Sequence, residues 1–205
     1  MNKIYHRKIT EEALQGLVAE SALEVMIAAD IGQDALRYQI NHDHFHYDSN
    51  AFSSSDAYIE SQRQRIRQAL SLGENKEAWK AFGRLSHTVQ DFYAHSNYVA
   101  LWLAANERVA HGSEQIDPLD RKILDDPTLH SGKPHFFDLL KYWKLLPTSW
   151  EKWISPDSHL AMNIDGPDRP NFDWVFSASV KRTRMEFIQV YDSLSEEQKI
   201  DFAGN

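Results

Sequence analysis

Apolar side chains recur at intervals of three and four along most of the chain, which is the spacing of one face of an α-helix. The pattern predicts helical structure through about residue 38 and helices over about 56–71, 75–110 and 171–193. In the segment 75–110, Ser96-Asn97 is the place where a bend or break is expected. No stretch shows the alternation of apolar and polar positions that a half-buried strand requires. We therefore predict one all-α domain that spans residues 1–205.

Breaks in this pattern separate the predicted helices. Residues 41–55 read as a loop, Gly73 ends a helix, and the glycines and prolines of residues 112–135 predict an irregular excursion. Beyond the excursion the pattern predicts short helices at about 136–145 and 148–154.

Three places carry the polar residues that cap helix N-termini. Thr10 predicts the start of the first helix, and Ser21 with Glu24 predicts a capping box for its continuation. Ser195 with Gln198 predicts the same arrangement for a last turn. Each would satisfy backbone N–H groups that have no partner in the first turn of a helix.

Polar side chains interrupt the apolar face of the longest predicted helix. His87, Asp91 and His95 follow one another at intervals of four. A four-residue step turns an α-helix by only about 40°, so the three side chains leave one stripe of its surface. Two imidazoles and a carboxylate on one stripe are ligands for zinc or a similar divalent metal. Since a buried carboxylate without a partner is costly, the apolar surroundings favour metal binding over a solvated face.

Other histidines and carboxylates are candidates to complete such a site. In the stretch NHDHFHYD at residues 41–48, His44 and His46 point the same way if the chain is extended. Each of these two could supply a ligand or orient one. Asp34, with Asp30 one turn earlier, could face either the metal stripe or solvent.

Taken alone, the remaining candidates carry a weaker signal. His6 stands near the start of the chain, and His159 shares a helical face with Asn163, with Asp165 just before a Gly-Pro break. Three other histidines lie in or beside the irregular excursion and are expected at the surface or at the rim of a substrate site: His111, His130 and His135.

Composition narrows the classes of function. The chain has 205 residues, of which 42% are hydrophobic and 25% charged, and its formal net charge is −8. This charge disfavours duplex nucleic acid and anionic membranes, because both bind cationic faces. It leaves open a small phosphate-bearing substrate held through metal. The chain has no cysteine, so a metal site must use histidine and carboxylate ligands.

The sequence has no stretch with the apolar length of a signal peptide or of a membrane span. The default expectation is a cytoplasmic protein, with export by a dedicated system as the alternative. Other catalytic motifs are also missing, among them the Gly-x-Ser-x-Gly elbow, the Walker loop and His-Glu-x-x-His.

The stretch LSHTVQDFYAHSNYV at residues 85–99 resembles the signature of the Het-C proteins, in which Trp is usual at the place of the last Tyr. Further elements follow the order of that family. His6 lies in an element similar to its early His-Arg-x-Ile-Thr, and Asp34 and His46 lie in elements similar to its Asp and His-Phe-Asp elements. Residues 159–167 resemble its late His-x-x-Leu-Asn-Lys-Asp-x-Pro element.

The Het-C family is related to zinc-dependent phospholipases C and single-strand nucleases, which are all-helical and bind two or three zinc ions in a cleft. The resemblance implies a phospholipase C-like phosphodiester hydrolase in which metal-activated hydroxide attacks phosphorus. It implies these metal ligands: His6, Asp34, His46, His87, Asp91, His95, His159 and Asn163. The catalytic candidates are Asp91 as a bridging carboxylate and Asp34 or Asp165 as a general base.

Two positions depart from the pattern of that superfamily. Its secreted enzymes begin with a Trp that binds one zinc, whereas this chain begins Met1-Asn2. Asn163 stands where an acidic ligand is usual, which leaves Asp165 as its substitute. Two alternatives therefore stay open: a single-strand nuclease, and a non-catalytic Het-C-type binding or cell-death protein stabilised by metal. The expected partner is a phosphodiester or phospholipid substrate, and the oligomeric state is left open.

Overall fold

Helices form the regular structure of this domain, as the computed structural model of the chain shows. It describes residues 1–35, 38, 42–107, 110–133 and 155–205. The α-helices of these residues are α1 (Lys3–Leu14), α2 (Glu20–Gly32), α3 (Phe52–Ser71), α4 (Asn75–His95), α5 (Tyr98–Asn106), α6 (Arg121–Leu124), α7 (His159–Met162), α8 (Phe172–Asp192) and α9 (Glu196–Ala203). Three short 3₁₀ turns accompany them: Asp43–Phe45, Asp48–Asn50 and Ser113–Gln115.

The predicted all-α fold class is confirmed. Within the described ranges there is no strand, and extended chain pairs only at the isolated bridges Ser96–Ser131 and Lys133–Ser158. None of the described helices is long and apolar enough to cross a membrane. The short helices predicted at about 136–145 and 148–154, and His135, lie outside the described residues.

Helix α4 is the centre of the domain. From Leu85 to His95 every one of its residues is buried, because α2 and α3 pack along it and α8 also packs against it. A helix enclosed on all sides is expected to be apolar throughout. The polar residues of α4 must therefore find partners inside the protein, and this requirement creates the site.

Helices α2 and α4 approach most closely at Gly83. A Cβ atom on this residue would lie 2.1 Å from the carbonyl oxygen of Met26 and 2.9 Å from Cβ of Ala29. Only glycine fits where the two helices cross. The close crossing brings the stripe of His87, Asp91 and His95 against α2.

Aromatic side chains close the end of the core away from that stripe. The ring of Phe187 on α8 stacks on Phe202 of α9 with centroids 5.1 Å apart, and Phe82 of α4 meets Phe187 edge-on at 5.5 Å. The indole nitrogen of Trp79 donates to the carbonyl oxygen of Phe202 (3.0 Å). These contacts fix the C-terminal helices on α4.

The cap predicted at Thr10 is wrong. Helix α1 begins at Lys3, where the Asn2 side chain accepts from the backbone N–H of Ile4 (3.0 Å). Thr10 lies inside the helix, fully buried, and its hydroxyl donates to Asp30 of α2 (2.7 Å). The Thr10 hydroxyl, predicted to cap a helix, instead forms a hydrogen bond between α1 and α2.

The other boundaries agree in part with the prediction. Ala19, without a side-chain hydrogen bond, precedes α2, so the capping box of Ser21 is wrong. The capping box of Ser195 with Gln198 is confirmed. The predicted helix over 75–110 is two helices, because Ser96 is extended and breaks the chain between α4 and α5.

We expect Gly83→Ala to lower the free energy of unfolding by about 1–3 kcal/mol, since the added methyl group would force two helix backbones apart. Thermal and denaturant unfolding measure the loss. Gly32→Ala is the matched control, because a Cβ at this glycine, the last residue of α2, meets nothing within 4 Å. Equal stability of the two variants would contradict the close approach.

Candidate metal centre

The stripe predicted on α4 faces the interior of the domain. His87, Asp91 and His95 are 0%, 0% and 4% exposed. Their polar atoms meet α1, α2 and the loop before α3, and each needs a partner there because water is excluded.

Asp91 lies at the centre of the cluster. Its Oδ2 is 2.9 Å from His46 Nδ1 and 3.0 Å from His87 Nε2. Its Oδ1 is 3.3 Å from His6 Nε2 and 3.9 Å from His95 Nε2. The carboxylate therefore gathers four imidazoles, two on each oxygen.

The amino group of Met1 also reaches Asp91. It donates to Oδ1 (2.7 Å) and lies 3.2 Å from His95 Nε2 and 3.3 Å from Asp165 Oδ1. Burial works to lower the pKa of this amine, but the charges of Asp91 and Asp165 outweigh burial and raise the pKa to about 11. The amine is thus a cationic member of the cluster.

Backbone carbonyl groups hold the outer nitrogens of two of the imidazoles. His46 Nε2 donates to the carbonyl oxygen of Tyr38 (3.3 Å), and His95 Nδ1 donates to the carbonyl oxygen of His46 (3.1 Å). A carbonyl oxygen only accepts, so in the neutral ring the proton lies on this outer nitrogen. The inner nitrogens are left with lone pairs that face the carboxylate of Asp91.

Side chains hold the outer nitrogens of the other two imidazoles. His87 Nδ1 lies 3.2 Å from Asp30 Oδ1, and His6 Nδ1 lies 2.7 Å from Gln90 Oε1. Such acceptors behind imidazoles are characteristic of metal-binding histidines, because they fix the ring orientation and the tautomer.

Asp48 joins a further histidine to the cluster. Its Oδ1 lies 2.8 Å from His159 Nδ1 and 3.3 Å from His95 Nδ1. The backbone here is fixed by Gly132, whose N–H donates to the carbonyl oxygen of His95 (2.9 Å) and whose carbonyl accepts from Ser49 (2.8 Å). Asp48 therefore orients two imidazoles that are distant in sequence.

Asp165 forms an open edge of the cluster. Its side chain is 40% exposed, and its Oδ1 is turned inward, 3.7 Å from His95 Nε2. Asn163 Nδ2 donates to the other oxygen, Oδ2 (2.8 Å). Asn163 therefore orients Asp165.

The charge of Asp91 governs protonation in the cluster. Burial works to lower the pKa of His87 and of His95, but Asp91 and its neighbours outweigh burial and raise each pKa to about 10. Burial works to raise the pKa of Asp91, yet the Met1 amine and His87 hold it well below its usual range. Asp91 is thus ionised and draws positive charge toward it.

Among the described residues, three groups of side chains have the composition and spacing to hold a metal ion. Within each group the ligand atoms lie within 4.8 Å of one another. The groups are His6–Asp34–His87, His46–His87–Asp91 and Asp48–His95–His159. His87 belongs to two of them, so the first two form one continuous centre.

The structure brings most of the predicted site residues together. The cluster contains His6, Asp34, His46, His87, Asp91, His95 and His159, with Asp165 at its edge. Asn163 contacts Asp165, and Asp30 lies behind His87, away from Asp91. The assignment of these side chains as metal ligands stays a prediction.

The expectation for His44 does not hold. Residues Asp43–Phe45 form a 3₁₀ turn, so His44 and His46 do not point the same way. The ring of His44 packs on Phe45 with centroids 4.3 Å apart, outside the cluster. The exposed His111 and His130 are also outside it, as predicted for surface positions.

Three members of the site are not among the predicted residues: the Met1 amine, Asp48 and Gln90. Asp48 and Gln90 stood inside the quoted stretches, directly beside candidate ligands. Their roles depend on contacts with residues far away in the chain, which spacing does not reveal.

The fold and the cluster define an all-α domain with a buried histidine–carboxylate centre. A family model described as the VWA7 N-terminal domain matches residues 2–122, more than half of the chain. The chain belongs to this family. No curated protein and no solved structure shows a significant match.

The resemblance to Het-C, and through it to the phospholipase C and nuclease superfamily, is wrong. The match to the VWA7 N-terminal domain includes residues 85–99, which carried that resemblance. A buried helix that presents imidazoles and a carboxylate every fourth residue is a local arrangement, and unrelated families can share such a short motif. His159 and Asp165 lie beyond the matched residues.

We expect Gly132→Ala to displace His159 from Asp48. The added Cβ would lie 2.7 Å from the Cα atom of His159, while the hydrogen bond to His95 keeps Gly132 from moving away. The cost is about 1–3 kcal/mol of unfolding free energy. Thermal unfolding and the NMR ring signals of His159 measure both effects.

Gly112→Ala is the control for this variant. Its Cβ would meet only the end of the flexible Glu114 side chain, which can swing away. An undisturbed His159 signal in Gly132→Ala would contradict the close approach.

Proposed function

We propose that this domain is a zinc-dependent hydrolase of phosphodiester bonds whose metal ions bind around Asp91. The observation that carries the proposal is His6 Nε2, a buried nitrogen without a hydrogen-bond partner, 3.3 Å from Asp91 Oδ1. Because Gln90 holds the other nitrogen of His6, this one presents a lone pair to a carboxylate. The Met1 ammonium contacts this oxygen from one side, but among the described residues no donor reaches His6 Nε2, and a metal ion there would satisfy both atoms.

The histidines at the other oxygen support the same conclusion. His46 Nδ1 and His87 Nε2 are 3.1 Å apart, and both contact Asp91 Oδ2. In the metal-free protein the proton of His87, whose pKa is raised to about 10, satisfies this place, and a divalent ion would replace that proton. One divalent ion would satisfy all three groups, and imidazole nitrogen with carboxylate oxygen is a ligand set that zinc accepts.

Charge balance favours two ions. In the part of the chain that the structure describes, five carboxylates lie in or directly behind the cluster: Asp30, Asp34, Asp48, Asp91 and Asp165. Two divalent ions and the Met1 ammonium match that negative charge, whereas a third ion would leave buried positive charge without compensation. The residues that would hold the two zinc ions are Asp91 and the histidines around it.

Zinc in this place would supply Lewis-acid polarisation of a phosphoryl oxygen and an acidic water as the source of hydroxide. Asp91, enclosed by nitrogen atoms, holds the centre together. We assign the general base to Asp165, whose side chain is 40% exposed and whose inward oxygen is oriented through Asn163. Asp34, 3.8 Å from His87 Nε2, is the alternative base.

The proposed substrate is a small phosphodiester or the head group of a phospholipid. The formal net charge of −8 disfavours duplex nucleic acid, which requires a cationic surface. Single-stranded DNA is retained as a test substrate, because a metal centre can accept a short segment of it.

A non-catalytic domain stabilised by metal is the second candidate. The depth of the cluster favours it, since His6, His87 and Asp91 are all 0% exposed. An ion that no substrate reaches would contribute to folding alone.

We expect the metal-free protein to bind two zinc ions and to become more stable. At a free zinc concentration 100 times Kd the gain is about 2.7 kcal/mol. For a chain of this length it raises Tm by about 5–10 °C. Calorimetric titration and thermal unfolding measure both effects.

Asp91→Asn and His87→Ala should abolish the rise in Tm, whereas His111→Ala, at an exposed histidine outside the cluster, should keep it. Circular dichroism establishes that each variant is folded. Wild-type protein that binds no zinc would refute the metal centre.

We expect zinc-loaded protein to hydrolyse at least one of three substrates: a chromogenic phosphodiester, phosphatidylcholine or single-stranded DNA. Asp165→Asn should keep both zinc ions and lose about 10²-fold or more in kcat, because a general base contributes on that order. Asp125→Asn, at an exposed carboxylate, is the control. If all three substrates are inert while zinc is bound, the non-catalytic candidate replaces the enzyme.

A further inference from the structure

A buried polar network lies behind His6, on the side away from Asp91. Its members come from four helices and are all 0% exposed: Thr10 on α1, Asp30 on α2, Gln90 on α4 and Thr183 on α8. Their side-chain hydrogen bonds join them to one another and to His6 and His87, and not to Asp91. The network is therefore not part of the proposed ligand set. The directions of its hydrogen bonds follow from which of its own groups can donate and which can accept.

The hydrogen bonds of this network fix the orientation of the Gln90 amide. As a carboxylate, Asp30 only accepts, and Thr10 donates its single hydroxyl proton to Asp30 Oδ2 (2.7 Å). The Thr10 oxygen then offers only lone pairs to Gln90. The group of Gln90 that lies 2.9 Å from Thr10 and 3.3 Å from Asp30 must be the NH₂ group.

The amide orientation in turn fixes His6. With its NH₂ group toward Thr10, Gln90 directs Oε1 at His6 Nδ1, 2.7 Å away. An amide oxygen only accepts, so Nδ1 carries the proton. A flipped amide would set Oε1 against the carboxylate of Asp30, which is repulsive.

We infer that Gln90 is a positioning residue that holds His6 in its Nδ1-protonated tautomer and so aims the lone pair of Nε2 at Asp91. Gln90 Oε1 is the nearest acceptor of the Nδ1 proton, at 2.7 Å. Without it, Asp30 Oδ1 lies 3.3 Å from Nδ1 and Asp91 Oδ1 lies 3.3 Å from Nε2, so distance would favour neither tautomer. A proton on Nε2 would lie where a metal ion is proposed to bind. The inference rests on the proposed metal centre for its purpose, but the tautomer itself can be measured without metal.

The direct test is the ring tautomer of His6 in zinc-free protein with ¹⁵N-labelled histidine, at a pH where the ring is neutral. Long-range ¹H–¹⁵N NMR spectra distinguish the two nitrogens. We expect a protonated Nδ1 and an unprotonated Nε2. A wild-type His6 with its proton on Nε2 would overturn the inference, whatever the variants show.

Two variants separate positioning from packing. Gln90→Leu removes the nearer acceptor and leaves Asp30 Oδ1 3.3 Å from Nδ1. A measurable fraction of His6 should then have its proton on Nε2, and zinc should bind about 10–100 times more weakly. Gln90→Glu keeps an acceptor for Nδ1 but places a second carboxylate beside Asp30. It should therefore keep the tautomer and lose stability. A residue that serves packing alone would weaken zinc binding in proportion to lost stability in both variants, and this result would contradict the inference.

Thr183→Val is the control. Thr183 Oγ1 lies 3.3 Å from Gln90 Nε2, so this nearly isosteric change removes one acceptor of the NH₂ group and leaves Oε1 in place. The His6 tautomer should not change. If wild-type protein binds no zinc while His6 has the expected tautomer that Gln90→Leu alters, the proposed function fails and the positioning role stands.

Discussion

The buried charge of Asp91 is the constraint on which the rest of this structure depends. An ionised carboxylate removed from water costs several kcal/mol unless the protein supplies charge and hydrogen bonds around it. Here the compensation comes from four imidazoles and one amine, carried by α4 itself, α1 and its preceding residues, and the loop before α3. The positions of these segments relative to α4 follow from the need to bring nitrogen atoms to one carboxylate.

The same contacts join helices and orient candidate ligands. Thr10, Asp30 and Gln90 link α1, α2 and α4 beneath the rings of His6 and His87. A change in this network therefore alters packing and ligand geometry together. It follows that stability and metal affinity are coupled in this domain, because an ion that binds only the folded cluster stabilises the fold.

Apolar periodicity predicted the fold class and the helices that form the core, and helical geometry predicted the shared face of His87, Asp91 and His95. The errors arose where tertiary contacts override local signals. Thr10 was predicted to cap a helix, but its hydroxyl donates to Asp30 of another helix. Asp48 contacts His159, which lies 111 positions away in the chain. The short motif at residues 85–99 could not identify the family. Its histidines and carboxylate follow from the geometry of a site, and unrelated families can share such an arrangement.

Exposure rises across the cluster from one side to the other, and this gradient bears on catalysis. His6 and His87 are fully enclosed, the side chain of His159 is 27% exposed and that of Asp165 is 40% exposed. An ion at the enclosed side would be held by a rigid set of ligands and would contribute mainly to stability. Chemistry on an external substrate requires the open side, where Asp165 faces both solvent and His95. The outer residues therefore decide whether this centre acts on a substrate or only stabilises the fold.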